Sequence, residues 1–80
     1  MTTTSATPVI DIRTMGACVE RKAYVLAAFD RLGSGESLVV VNDHLPRGLY
    51  AHFQEHRAGL FSWRSLEDGP VTFRIEIEHI

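Results

Sequence analysis

The amino-acid sequence predicts an α+β domain: a two-layer sandwich with two helices on one face of a four-stranded mixed sheet, in the order β-α-β-α-β-β. Three observations carry that expectation. From about Val19 to Leu32, Val25, Leu26, Phe29 and Leu32 recur at helical spacing. Ser37-Leu38-Val39-Val40-Val41-Asn42 is continuously apolar and β-branched at its centre, as in a strand held centrally or covered on both faces. From Val71 to Glu78, apolar and polar residues alternate strictly, so one face of the last strand is buried and the other wet.

The elements follow in order. Residues 1–8 are Thr/Ser-rich and read as a flexible tail, and residues 9–80 form one domain. Val9-Ile10-Asp11-Ile12-Arg13 is a short strand, followed by the loop Thr14-Met15-Gly16-Ala17. The first helix also carries Lys22, with its stem inward, and Ala23, Ala27 and Ala28 for propensity; Gly33-Ser34-Gly35 stops it, a glycine at C′ tolerating the left-handed conformation. After the central strand, Asp43 is an N-cap candidate and Pro46 suits a first helical turn, which predicts a second helix from Pro46 to about Arg57. Leu49, Phe53 and His56 share its inner side, and Ala58-Gly59 ends it. Leu60 to Leu66 is a strand with Phe61 and Trp63 on one face, under the helices as core. The turn Glu67-Asp68-Gly69-Pro70 reverses the chain into the last strand. Arg64, Arg74, Glu76 and Glu78 fall on the opposite face, which reads as solvated or as a dimer surface.

Composition excludes several classes of function. Eight basic against ten acidic side chains give a formal charge of −2, and the basic residues run from Arg13 to Arg74 without forming a stripe, so nucleic-acid binding is not expected. No apolar run approaches the roughly 20 residues needed to cross a bilayer, and the N-terminus has no signal-peptide pattern. The lone Cys18 excludes an internal disulfide and fits a reducing, cytoplasmic setting. A soluble monomer or weak dimer is expected.

With a right-handed first crossover, strands one and two are parallel and their carboxyl ends share one edge, so the Arg13 to Cys18 loop lies near Asn42 to His44. Three constellations arise there. Cys18 precedes the first helix, where the helix dipole lowers a thiol pKa; such a cysteine could carry sulfur as a persulfide, with Arg21 or Lys22 holding the anion and Glu20 opposing it. Its plainer role is a small apolar side chain closing the loop. Asn42-Asp43-His44 ends the central strand, with Asp43 capping backbone N–H groups and His44 pointing at the first loop. His52 and His56, four residues apart, share a helix face, but two imidazoles do not make a metal site, and no metal site is favoured even with His44 added.

Several segments together resemble domain-of-unknown-function family 2249: Ile10-Asp11-Ile12-Arg13, Glu20-Arg21-Lys22, Val41-Asn42-Asp43-His44-Leu45-Pro46, Leu49-Tyr50, Phe61-Ser62-Trp63 and Leu66-Glu67-Asp68-Gly69-Pro70. The resemblance runs from Ile10 to about His79. That family is similar in fold to the TusA-like (SirA-like) sulfur carriers, which implies the same two-layer β-α-β-α-β-β sandwich. Those carriers hold a persulfide on the cysteine of a Cys-Pro-x-Pro motif where the first helix begins. Cys18-Val19-Glu20-Arg21 stands at that place and carries neither proline.

The preferred reading is a small non-catalytic domain that binds a partner protein or small ligand, without a cofactor, at the edge formed by the loops before the two helices. Its contact residues are Arg13, Cys18, Glu20, Arg21, Asn42, Asp43, His44 and Arg47. The competing readings are a persulfide carrier using Cys18, assisted by Arg21 and His44, and a metal or haem sensor using His44, His52 and His56.

Overall fold

The computed structural model describes residues 7–13 and 18–80, with side chains in the second stretch described from residue 20. Six elements follow one another: β1 (Val9–Asp11), α1 (Cys18–Asp30), β2 (Ser37–Asn42), α2 (Arg47–His56), β3 (Phe61–Asp68) and β4 (Phe73–His79). The strands form one mixed sheet in the order β1-β2-β4-β3. β1 is parallel to β2, and β4 is antiparallel to both of its neighbours.

The alternation in the strands explains the layers. Leu38 and Val40 of β2, Ile75 and Ile77 of β4 and Ile10 of β1 point to one face, where they meet Val25 and Phe29 of α1 and Leu49 and Phe53 of α2 in a single cluster. Both helices therefore cover the same face of the sheet. Phe29 and Phe53 join them, ring edge to ring face at 5.1 Å and 88°. Phe61 and Trp63 of β3 are half-buried and pack against this cluster from the sheet's margin.

Across β3 and β4 the opposite face is polar. Arg64 pairs with Glu76 at 2.7 Å and Arg74 with Glu67 at 3.1 Å, both across the β3–β4 ladder. Val41 also points to this face yet is only 4% exposed. Its neighbours in register are Asp11 and Arg74, and a long arginine stem covers apolar surface while its head stays wet.

Several boundaries differ from the sequence expectation, each for a local reason. α1 stops at Asp30, where Arg31 and Leu32 donate back to Ala28 and Phe29 in a tighter final turn. The left-handed residue beyond it is Gly35 (φ +86°), not Gly33, whose N–H donates to the Glu36 carboxylate at 2.6 Å. His56 is exposed instead of facing inward: in the last turn of α2 its ring lies 4.4 Å from that of His52. β3 runs on through Glu67 and Asp68 by way of a register shift between Ser65 and Glu67, so the reversal is made by residues 69–72, with Gly69 N–H donating to the Thr72 carbonyl. Val71 thereby falls in the turn and is 76% exposed, and the buried face of β4 begins at Phe73. Residues 1–6 of the expected tail and 14–17 of the first loop lie outside the described residues. Pairing with β2 already begins at Pro8, whose carbonyl accepts from Val39 N–H at 2.8 Å.

Candidate functional site

Because β1 and β2 are parallel, the segments leaving them emerge on one edge. Ile12 N–H donates to the Val41 carbonyl at 3.0 Å and extends the pairing to that edge. Arg13 then folds back on Asp11, its guanidinium gripping both carboxylate oxygens at 2.9 and 2.6 Å while its own N–H donates to the same carboxylate at 3.0 Å. These bonds hold the Asp11 carboxyl down at about 2. On the neighbouring strand Asn42 is buried, and its side-chain oxygen accepts from Asp43 N–H at 2.9 Å. This turns Asp43 and His44 outward, where His44 Nδ1 donates to the Asp43 carboxylate at 2.7 Å. That bond lowers the Asp43 pKa, and the charge of Arg21 adds to it. Asp43 in turn raises the pKa of Arg13, after the larger effect of Asp11. Arg13, Arg21, Asp43 and His44 thus share one electrostatic neighbourhood, and Glu20 is exposed in the first turn of α1.

Asp43 does not cap α2. The helix begins after Pro46, which has no side-chain cap, and its first backbone bond runs from Tyr50 N–H to the Pro46 carbonyl at 3.1 Å. An N-cap side chain reaches only two or three residues ahead, and Asp43 stands further from the first turn, engaged with His44. The start of α2 is cationic instead. A methyl group on Gly48 would stand 3.2 Å from Lys22 Cε, so the Lys22 stem crosses the first turn, and Arg47 opens the helix. Neither Lys22 nor Arg47 makes an ion pair among the described residues.

From this point the Leu45-Pro46-Arg47 segment becomes one wall of an open groove of about 510 Å³. α2 contributes Tyr50 and Gln54, β3 contributes Phe61 and Trp63, and Gly59 also lines it. Tyr50 stands edge-on to Trp63 at 5.0 Å and to Phe61 at 6.1 Å, and Gln54 Nε2 donates to its hydroxyl at 2.7 Å, which fixes the ring. Tyr50 remains 40% exposed and Leu45 41%. Such a volume, aromatic with a few polar groups at its mouth, is within the range of small-ligand sites. Phe61 and Trp63, expected from the sequence in the core, do border it, but both also line this groove. The signal for it was Tyr50, an aromatic one turn beyond the cationic start of α2.

The remaining candidates are dispersed. Cys18 begins α1, and its side chain lies outside the described residues. His52 is half-buried, and burial first, then the neighbouring His56 and Lys22, lower its pKa. No group of three or more histidine, cysteine or acidic side chains able to hold a metal occurs among the described residues, so His44 does not complete a site with His52 and His56. No helix among the described residues is long and apolar enough to cross a membrane.

Neither the curated proteins nor the solved structures contain a match to this chain. A family described as Uncharacterized conserved protein (DUF2249) matches residues 9–79, from the first residue of β1 to the last of β4, and the chain belongs to that family.

Proposed function

We propose that this chain is a non-catalytic binding domain whose contact surface is the edge carrying Arg13, Arg21, Asn42, Asp43 and His44 together with the groove into which Leu45, Pro46 and Arg47 lead. The observation that carries the reading is the junction itself: the loop entering α2 is at once part of the charged edge and a wall of the aromatic groove. The ligand, whether a small molecule or a side chain of a partner protein, has an apolar or aromatic body for Tyr50, Phe61 and Trp63. It also bears an anionic group for Arg47, whose charge no described residue neutralises.

The test uses Trp63, the only tryptophan, as reporter. Phenylacetate and cyclohexylacetate, which do not emit in the tryptophan band, are titrated against the neutral amides of the same acids. The acids quench or shift Trp63 emission more strongly than the amides, and Arg47→Glu weakens acid binding about tenfold or more, the usual worth of a charged hydrogen bond. Equal response to acids and amides, unchanged in Arg47→Glu, would overturn the assignment.

A further inference from the structure

β3 is an outermost strand of the sheet, and among the described residues nothing pairs with its outer edge. Its register shows which groups lie there. Ile80 N–H donates to the Leu60 carbonyl at 3.0 Å, which makes Leu60–Ile80 a hydrogen-bonded pair. Such pairs recur every second residue in an antiparallel ladder, so Ser62–Glu78 and Arg64–Glu76 are hydrogen-bonded too. The N–H and C=O groups of Phe61, Trp63 and Ser65 therefore point to the open edge. The register shift after Ser65 ends this regular run.

We propose that β3 pairs antiparallel with β3 of a second copy of this chain about a two-fold axis at Trp63, joining the two sheets and bringing the two aromatic grooves face to face. The pattern along the strand selects this occupant and this register. An axis at Arg64 would set that arginine against its own copy, and like charges directly opposite are unfavourable. An axis at Ser62 would engage only residues 61–63 of the strand. An axis at Trp63 engages residues 61–65 in full, matching Phe61 with Ser65 and Trp63 with Trp63. It sets Arg64, 68% exposed in its side chain, opposite Ser62 of the second copy. An unpaired edge of this kind invites strand addition, and neither proline nor a lysine blunts it between Phe61 and Ser65.

Ser62 provides the test, because its two neighbours have opposite charges: Glu78 within the chain and Arg64 across the proposed axis. Sedimentation velocity on the full chain over a concentration series shows a concentration-dependent dimer. Ser62→Glu faces arginine twice by symmetry and lowers the dissociation constant about threefold or more, and Ser62→Arg raises it by a similar factor. Thermal stability of the monomer moves the other way, since Ser62→Arg gains Glu78 and Ser62→Glu opposes it, so folding effects cannot imitate the result. A wild-type chain that stays monomeric up to millimolar concentration overturns the proposal. So does a dimer whose dissociation constant is the same in both variants, which would place the contact on another face.

Discussion

Phe53 is the side chain on which the two layers meet, and replacing it tests the packing directly. Its ring has no exposed surface, lies 5.1 Å from Phe29 and 5.3 Å from Phe61, and reaches Trp63 at 6.3 Å. It therefore touches α1 and β3 from α2. Phe53→Ala removes a buried aromatic ring and leaves a cavity that both helices would have to close, a loss of about 3–5 kcal/mol. At the usual 0.05–0.15 kcal/mol per residue, a domain of this length has about 4–12 kcal/mol in all. The substitution thus takes from about a quarter to all of the stability. In urea unfolding followed by Trp63 fluorescence, with a slope of about 1–1.5 kcal/mol per molar, the midpoint falls by about 2–5 M, or the variant is unfolded without denaturant. Phe53→Leu keeps most of the apolar volume and loses the ring contacts, about 1–2 kcal/mol, so it grades the effect in a folded protein. A loss below about 1.5 kcal/mol in Phe53→Ala would show that Phe53 is not enclosed between helix and sheet, and the two-layer packing argument would fall.

Three further outcomes follow from the same geometry. Gly69→Ala puts a methyl group 2.5 Å from the Phe73 ring at a φ of +74°, whereas Gly35→Ala meets nothing within 4 Å at a φ of +86°; chemical denaturation shows Gly35→Ala losing about 1–2 kcal/mol from backbone conformation alone and Gly69→Ala clearly more. The Asp11 carboxyl, followed by NMR, titrates near 2 and not near the ordinary 3.8, so the Asp11–Arg13 pair stabilises the fold above the ordinary value and is lost as pH falls toward 2; Arg13→Met returns the titration toward the ordinary range, and an unchanged midpoint would disprove the pairing. His52, pushed below 6.5 mainly by burial, binds its proton more readily in the unfolded chain, so stability declines as pH falls below 6.5; in His52→Gln the decline over that window is shallower, and an unaltered slope would assign it to other groups.

The sequence made the regular parts legible because their side chains have one dominant constraint. Ile75 and Ile77 must turn inward if Arg74 and Glu76 turn out, and Val25 and Phe29 fall one turn apart on α1. The irregular parts depend on competitions that no local pattern ranks. Asp43 stands before a helix in sequence, but the adjacent imidazole of His44 takes its carboxylate, and the intervening Leu45-Pro46 keeps it out of capping reach. Asp68-Gly69 signals a reversal correctly, yet the register shift beside Leu66 moves the turn onward to residues 69–72. The groove was hidden for a topological reason. A β3–β4 hairpin can dock on β2 by either strand, and only because β4 docks does β3 become the edge, leaving Phe61 and Trp63 half-buried with Tyr50 over them. The charged edge was foreseeable from the parallel β1–β2 pair, which brings Arg13 and Arg21 within electrostatic reach of Asp43. The cationic crossing of Lys22 over Gly48 was not, since it joins two helices whose separation only the packed core determines.

Whether the α2 entrance and the aromatic groove form the contact surface is decided by mapping amide chemical shifts during titration with indole-3-acetate. The predicted result is a contiguous set of shifts at Leu45, Arg47, Tyr50 and the Trp63 indole N–H, with Arg64 and Glu76 on the opposite face unmoved. Shifts confined to Tyr24 and Arg31, which line the separate groove beside β1, or to the opposite face of the sheet, would contradict it.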